Sequence, residues 1–179
     1  MKKIIPLLPA DFSLPIIIVQ HISATSDNYM VKYLNKLSQL TVKEADEKEE
    51  LKSGYVYISP PNYHLLVEED STLSLSIDAK KNYSRPSIDI LFETASYAFG
   101  SELIGIVLTG ANSDGSEGLK MIRDNGGFCI VQDPKEAEAD SMPSSAIKTA
   151  DPQKVLKLKG IAKQLISIDK KLKKRKAKD

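Results

Sequence analysis

The sequence holds a single cysteine, Cys129. That excludes a disulfide framework and any cysteine-based structural zinc site. No apolar run approaches the roughly 20 residues of a membrane-spanning helix, so insertion into a membrane is not expected. Met1-Lys2-Lys3 is followed by only a few apolar residues before Pro9-Ala10-Asp11, too short a stretch for the core of a signal peptide. These absences point to a cytoplasmic protein. There is no internal repeat and no G-x-S-x-G elbow. The one glycine-bearing loop of interest, 109–115, lacks the lysine of a P-loop and the spacing of a dinucleotide fingerprint. It faintly resembles a calcium loop at Asn112-x-Asp114-Gly115, but the later ligands are missing. No cofactor or metal is implied.

What the chain does have is the make-up of one ordinary folded domain. Its 179 residues, 41% hydrophobic and 27% charged, can bury a core without covalent staples. The net charge of +1 hides an asymmetry, because residues 169–179 hold seven of the 25 basic residues and two of the 24 acidic ones. The sequence therefore divides into a mildly acidic body, 1–168, and a basic tail, 169–179. Seven cations in so short a span repel one another, so the tail is expected to be poorly ordered, or an exposed helical extension without core contacts. A tail-driven nucleic-acid or membrane-surface binder would rest on that run alone, and like-charge runs are rarely specific.

Helix and strand patterns alternate along the body. The β-branched run 16–19 suits a strand buried on both faces, and Asp27 can cap a helix carrying Met30, Leu34 and Leu37. The nearly all-charged stretch 44–54 reads as loop, 55–58 as a strand, and 64–67 with 73–77 as a β-hairpin around Asp70-Ser71-Thr72. Ser87 reads as the N-cap of a helix with the apolar stripe Ile88, Leu91, Phe92, Ala95 and Phe99. Further strands are expected at 103–108, 128–131 and near 155–158, with helices through Leu119 and Ile122 and over 161–168. Strands alternating with amphipathic helices predict an α/β fold with a mostly parallel, doubly wound, Rossmann-like sheet plus the hairpin.

In such sheets, reacting groups collect beyond the carboxyl ends of the strands. His21 follows the first apolar strand, and the loop with Asp114 follows the second. Each has an ordinary structural explanation: a surface histidine at a strand end, and a helix-capping aspartate. Together they form the base and the acid of a hydrolase, since a histidine acting as general base needs a carboxylate to fix its tautomer. A nucleophile should complete them. Ser23 and Ser113 lie near in sequence but sit in no strand-to-helix elbow, and Cys129 falls inside a strand, where it reads as a small buried hydrophobe. His64 reads as ordering the entry to the hairpin.

Several segments now resemble one family. Val19-Gln20-His21, Val42-Lys43-Glu44-Ala45, Tyr57-Ile58-Ser59-Pro60-Pro61-Asn62-Tyr63-His64-Leu65-Leu66-Val67 and Ser84-Arg85-Pro86-Ser87-Ile88-Asp89 are similar to bacterial chemotaxis protein-glutamate methylesterases. So are Leu108-Thr109-Gly110-Ala111-Asn112-Ser113-Asp114-Gly115, Val131-Gln132-Asp133-Pro134 and Ser141-Met142-Pro143, all in the same order. The resemblance implies hydrolysis of glutamyl methyl esters, and deamidation of certain glutamines, on the cytoplasmic helices of chemoreceptors. A serine attacks, a histidine takes its proton and an aspartate orients the histidine. His21 and Asp114 fall on the histidine and aspartate motifs. Ala111 stands where many members have methionine, and its backbone N–H falls beside the oxyanion pocket.

The family's serine lies after the first strand of the sheet, in a turn opening the helix whose end corresponds to Met1–Leu7. Strand and serine would therefore precede Met1, through a misassigned start codon or a shortened chain. The alternative is a naturally non-catalytic relative that binds receptor helices without hydrolysing them. Family members often carry a phosphorylatable receiver domain ahead of the catalytic one.

Overall fold

The computed structural model describes residues 1–21 and 28–177. The β-branched run forms β1 (Ile16–Ile18), joined by β2 (Thr41–Glu44) and β3 (Tyr55–Ile58) in a parallel sheet of order β1-β3-β2. β4 (His64–Val67) and β5 (Leu73–Ser76) pair antiparallel as the expected hairpin. β6 (Ile104–Val107), β7 (Phe128–Gln132) and β8 (Lys154–Leu156) form a second parallel sheet in that order. The helices are α1 (Tyr29–Leu37), α2 (Ile88–Phe99), α3 (Ser116–Asp124), α4 (Ser141–Ala150) and α5 (Leu158–Lys176). This is the mixed α/β, mostly parallel architecture that the alternating pattern predicts. No helix among the described residues is long and apolar enough to cross a membrane.

β1 pairs only with β3 and β6 only with β7 among the described residues, so each strand turns one edge away from its own sheet. Burial follows pairing. β3 and β7, each flanked on both sides, are almost wholly buried, whereas Ile16, Ile17, Ile104 and Ile106 on β1 and β6 are only half-buried. One apolar cluster nevertheless spans both sheets, joining Ile18, Val56 and Ile58 to Ile130 and Ile161, with Ile16, Ile104 and Ile106 packed against it. The first residues add Ile4, Ile5, Leu8 and Phe12 to this cluster through a 3₁₀ turn at Ile5–Leu7.

Three features differ from the sequence reading. The stretch 141–150, punctuated by Pro143, is α4, because Pro143 sits in the first turn, where a helix has no use for its N–H. Strand β8 is shorter than expected and gives way to α5 at Leu158. The basic run is carried by α5 as far as Lys176, the exposed helical extension that is one of the two expectations, but the expected lack of core contacts fails at its first residue. Asp169, counted with that tail, is buried and accepts hydrogen bonds from the Ser13 N–H at 2.9 Å and Ser13 Oγ at 2.5 Å. Lys173 reaches Asp169 at 2.8 Å and also Asp11, so one turn of the basic run is tied to the segment entering β1. The expected cap Asp27, like Ser23, lies outside the described residues.

Candidate active site

β1 and β6 run in parallel sheets and deliver their carboxyl ends to the same edge of the molecule. His21, three residues beyond β1, and Asp114, in the loop after β6, meet there with Nε2 and Oδ2 2.8 Å apart. The Asp114 side chain is fully buried and that of His21 is 28% exposed. One partner is thus fixed inside the protein while the other faces outward. The Asn112 amide nitrogen lies 3.4 Å from His21 Nδ1. An amide NH₂ only donates, so this contact puts the imidazole lone pair on Nδ1 and the proton on Nε2, pointing at Asp114.

Asp114 is held by more than His21. Its Oδ2 also accepts the Ile88 N–H at 2.7 Å, and its Oδ1 accepts Ser87 Oγ at 2.7 Å and the Asp89 N–H at 3.1 Å. Ile88 and Asp89 open α2, so the carboxylate caps a helix remote in sequence and sits against the positive end of its dipole. Ser87, predicted as the cap, occupies the N-cap position but spends its hydroxyl on Asp114. Burial by itself pushes the Asp114 carboxyl up. The hydrogen bonds from His21, the Ile88 N–H, Ser87 and the Asp89 N–H outweigh it and hold the group below its ordinary value. The group stays a carboxylate at neutral pH, as an orienting acceptor must.

The capping is reciprocal. Asp89, at the start of α2, accepts the Gly118 N–H at 2.8 Å in the first turn of α3, the helix that Asp114 precedes. A Cβ on Gly118 would meet Phe92 Cβ at 2.6 Å and the Asp89 backbone at 3.0 Å, so the two helices approach this closely only with glycine there. Asn82 spans the pair, donating to Asp89 Oδ2 at 2.8 Å and lying 3.4 Å from Asp114 Oδ1. Burial pushes Asp89 up, the Gly118 N–H opposes this, and the Asp114 charge adds to the rise. Asp89 and Asn82 escaped the sequence reading because neither follows a strand. The resemblance motif Ser84–Asp89 contains Asp89 but carries no role for it.

The loop bearing Asp114 is braced from the segment ahead of α4. Thr109 Oγ1 accepts the Ala139 N–H at 2.8 Å, the Gly110 N–H donates to the Ala139 carbonyl at 3.1 Å, and the Met142 N–H donates to the Gly110 carbonyl at 3.0 Å. At Gly110 a Cβ would lie 1.9 Å from Met142 Sδ, so any larger residue would have to displace the Met142 side chain. Gly115, at φ +90°, provides the left-handed residue that turns the loop into α3. Ala111 is exposed on the loop between Gly110 and Asn112. Nothing among the described residues accepts a hydrogen bond from its N–H. A cleft of about 380 Å³ is lined by Gln20, the neighbour of His21, with Thr109 and Gln132 from the ends of two further strands and Met1, Glu136 and Glu138; neither His21 nor Asp114 lines it.

The remaining candidates are not brought to the pair. Ser113 is exposed, and no serine hydroxyl among the described residues hydrogen-bonds to His21. Cys129 is wholly buried in β7, and burial pushes its thiol up to about 11, which leaves it inert. His64 is also buried. Its Nδ1 accepts the Ser87 N–H at 3.2 Å and its Nε2 lies 3.1 Å from the Ala79 carbonyl, so it ties the hairpin to the entry of α2.

The family model described as CheB methylesterase matches residues 1–165. A relative from Leptospira interrogans, provisionally named protein-glutamate methylesterase/protein-glutamine glutaminase, is 56% identical over 169 residues, covering 94% of this chain and 88% of that protein. The protein-glutamate methylesterase/protein-glutamine glutaminase 1 of Carboxydothermus hydrogenoformans is 35% identical over 170 residues, and the match spans 92% of this chain but only 50% of the relative. The crystal structure of the Thermotoga maritima CheB methylesterase catalytic domain superposes with a TM-score of 0.89 at 34% identity, covering 93% of this chain and 90% of that one. The chain belongs to the CheB methylesterase family, a family of hydrolases.

Proposed function

We propose that this chain is the catalytic part of a protein-glutamate methylesterase and glutamine deamidase acting on the cytoplasmic helices of chemoreceptors. The observation that carries this reading is the His21–Asp114 pair, a half-exposed imidazole held at 2.8 Å by a buried carboxylate at the carboxyl ends of two parallel strands. His21 Nδ1 is the general base, once the serine hydroxyl takes the place of the Asn112 amide at its lone pair. It takes the proton from a serine hydroxyl as the serine oxygen attacks the ester carbonyl, and returns it to the departing methoxide to give methanol. A water then repeats the sequence on the acyl-enzyme, regenerating the serine and releasing a glutamate carboxylate. With a glutamine side chain the leaving group is ammonia.

The Ala111 N–H is the proposed backbone donor to the oxyanion. The serine is assigned to a strand and turn preceding Met1. Supporting this, β1 and β6 each have one edge without a strand partner among the described residues. Asp114 orients the imidazole and stabilises its protonated form. A purely receptor-binding relative would keep Asp114 as the cap of α2 but would have no need of a part-exposed imidazole fixed on it, which favours the catalytic reading.

The test is methanol release from a methylated receptor cytoplasmic fragment. The 179-residue chain is expected to release none above background, while a form carrying the in-frame upstream segment releases methanol and loses this on serine-to-alanine substitution in that segment. Serine-dependent release by the 179-residue chain itself would place the nucleophile within it, at Ser23 or Ser113.

A further inference from the structure

Large apolar side chains are seldom left in water without a use when they gather in one place. Tyr63, Ile77 and Tyr83 are 41%, 72% and 98% exposed. One side chain gathers the segments that carry them. Arg85 donates to the Ile77 carbonyl, to the Asp78 carbonyl at 2.8 Å, and to Asn62 Oδ1 at 3.0 Å beside Tyr63. Tyr83 lies two residues before Arg85.

The placement of Tyr83 is costly. Asn82 and Tyr83 have φ of +52° and +62°, the paired left-handed residues of a type I′ turn closed by hydrogen bonds between Lys81 and Ser84. Asparagine tolerates that conformation, whereas a bulky aromatic is strained in it, and glycine is the residue the turn favours. The strain is maintained from inside, because Asn82 ties the turn to Asp89 and Asp114. The same turn thus fixes the acid of the catalytic pair and holds an aromatic ring out into solvent one residue away.

We infer that Tyr83, with Ile77 and Tyr63, forms the docking surface on which the substrate lays an amphipathic, carboxylate-bearing helix beside the His21–Asp114 pair. The inference rests on the receptor-helix reading above. Charge favours such an occupant. Residues 77–85 carry Lys80, Lys81 and Arg85 against Asp78 alone; Lys81 is paired with Glu93 at 3.3 Å, whereas the Arg85 contacts are to neutral oxygens and no ion pair among the described residues engages Lys80 or Arg85. Each turnover turns a neutral ester into a carboxylate, so a segment under repeated hydrolysis presents acids to those cations. An exposed aromatic flanking the reacting side chain supplies apolar contact area at little loss of side-chain freedom.

The experiment measures binding of the full 179-residue chain to a helical cytoplasmic fragment of a methylated receptor, which requires no nucleophile. Tyr83→Ala is expected to weaken binding about tenfold and Tyr83→Phe to leave it near the original value. Tyr83→Gly is expected to raise the melting temperature while weakening binding as much as Tyr83→Ala, a divergence that a structural tyrosine would not produce. Tyr97, 66% exposed and roughly 13 Å along α2 from its capped end, is the control, and Tyr97→Ala is expected to change nothing. Equal binding by Tyr83→Ala, or equal weakening by Tyr97→Ala, overturns the docking role alone. Absence of binding by the unsubstituted chain overturns the receptor reading itself.

Discussion

In a form that contains the nucleophile, His21→Ala is expected to abolish turnover of methylated receptor, with kcat falling on the order of 10⁶-fold. The imidazole is part-exposed, with Nε2 on Asp114 and Nδ1 facing only the Asn112 amide at 3.4 Å, a long contact that a serine hydroxyl can replace. Removing it leaves the serine protonated and the leaving alkoxide without a donor. KM is expected to stay within a few-fold, because His21 contributes no docking area of the kind that Tyr83 does. Stability should change little, since the side chain is part-exposed and its removal leaves Asp114 with four other donors. Steady-state methanol release together with a thermal melt checks both halves of this expectation.

Asp114→Asn is expected to cost about 10⁴-fold in kcat, the size of effect seen when a triad aspartate becomes an amide. The reason is local. Asp114 is purely an acceptor, reached by His21, Ser87, Asn82 and two backbone N–H groups at the start of α2. Asparagine has one acceptor oxygen, and its NH₂ must face either His21 together with the Ile88 N–H, forcing the wrong tautomer, or Ser87 together with the Asp89 N–H, so one helix N–H is repelled either way. Each orphaned buried donor costs about 1–3 kcal/mol, so a loss of stability should accompany the loss of rate. A pH signature separates the two. A carboxyl whose native pKa is lowered contributes stability that is complete above its unfolded value and is lost as pH falls through its native value. Stability of the unsubstituted chain should therefore decline in acid, and Asp114→Asn should flatten that decline. Because the pair acts as a unit, His21→Ala with Asp114→Asn should be scarcely slower than His21→Ala alone.

His21 and Asp114 were legible because each directly follows an apolar, β-branched run, and in a parallel sheet that position is the site edge. What surrounds them was not legible. The cross-capping of α2 and α3 through Asp114 and Asp89 depends on how two helix starts meet in space, and residues 25 or more apart in sequence carry no local sign of it. Ser87 looked like a cap and holds that position, yet its hydroxyl serves the carboxylate that does the capping. Strand β2 was hidden because Val42 alone is buried among Thr41, Lys43 and Glu44, the pattern of an edge strand. Helix α4 was hidden by Pro143, a helix breaker in general but not in a first turn. The basic run is the exposed helical extension that its charge allows, but its contact with the body was not legible, because it rests on one acid, Asp169, whose carboxylate is buried under Ser13.

On the function proposed above, Asp114 holds the His21 imidazole through Nε2–H and leaves Nδ1 as the base. Nitrogen-resolved NMR of the 179-residue chain at alkaline pH, where the ring is neutral, tests this without any catalysis. The expected spectrum has the proton on Nε2, with a strongly downfield resonance that is lost in Asp114→Ala, and an unprotonated Nδ1. A proton on Nδ1, or a His21 spectrum indifferent to Asp114→Ala, would contradict the account.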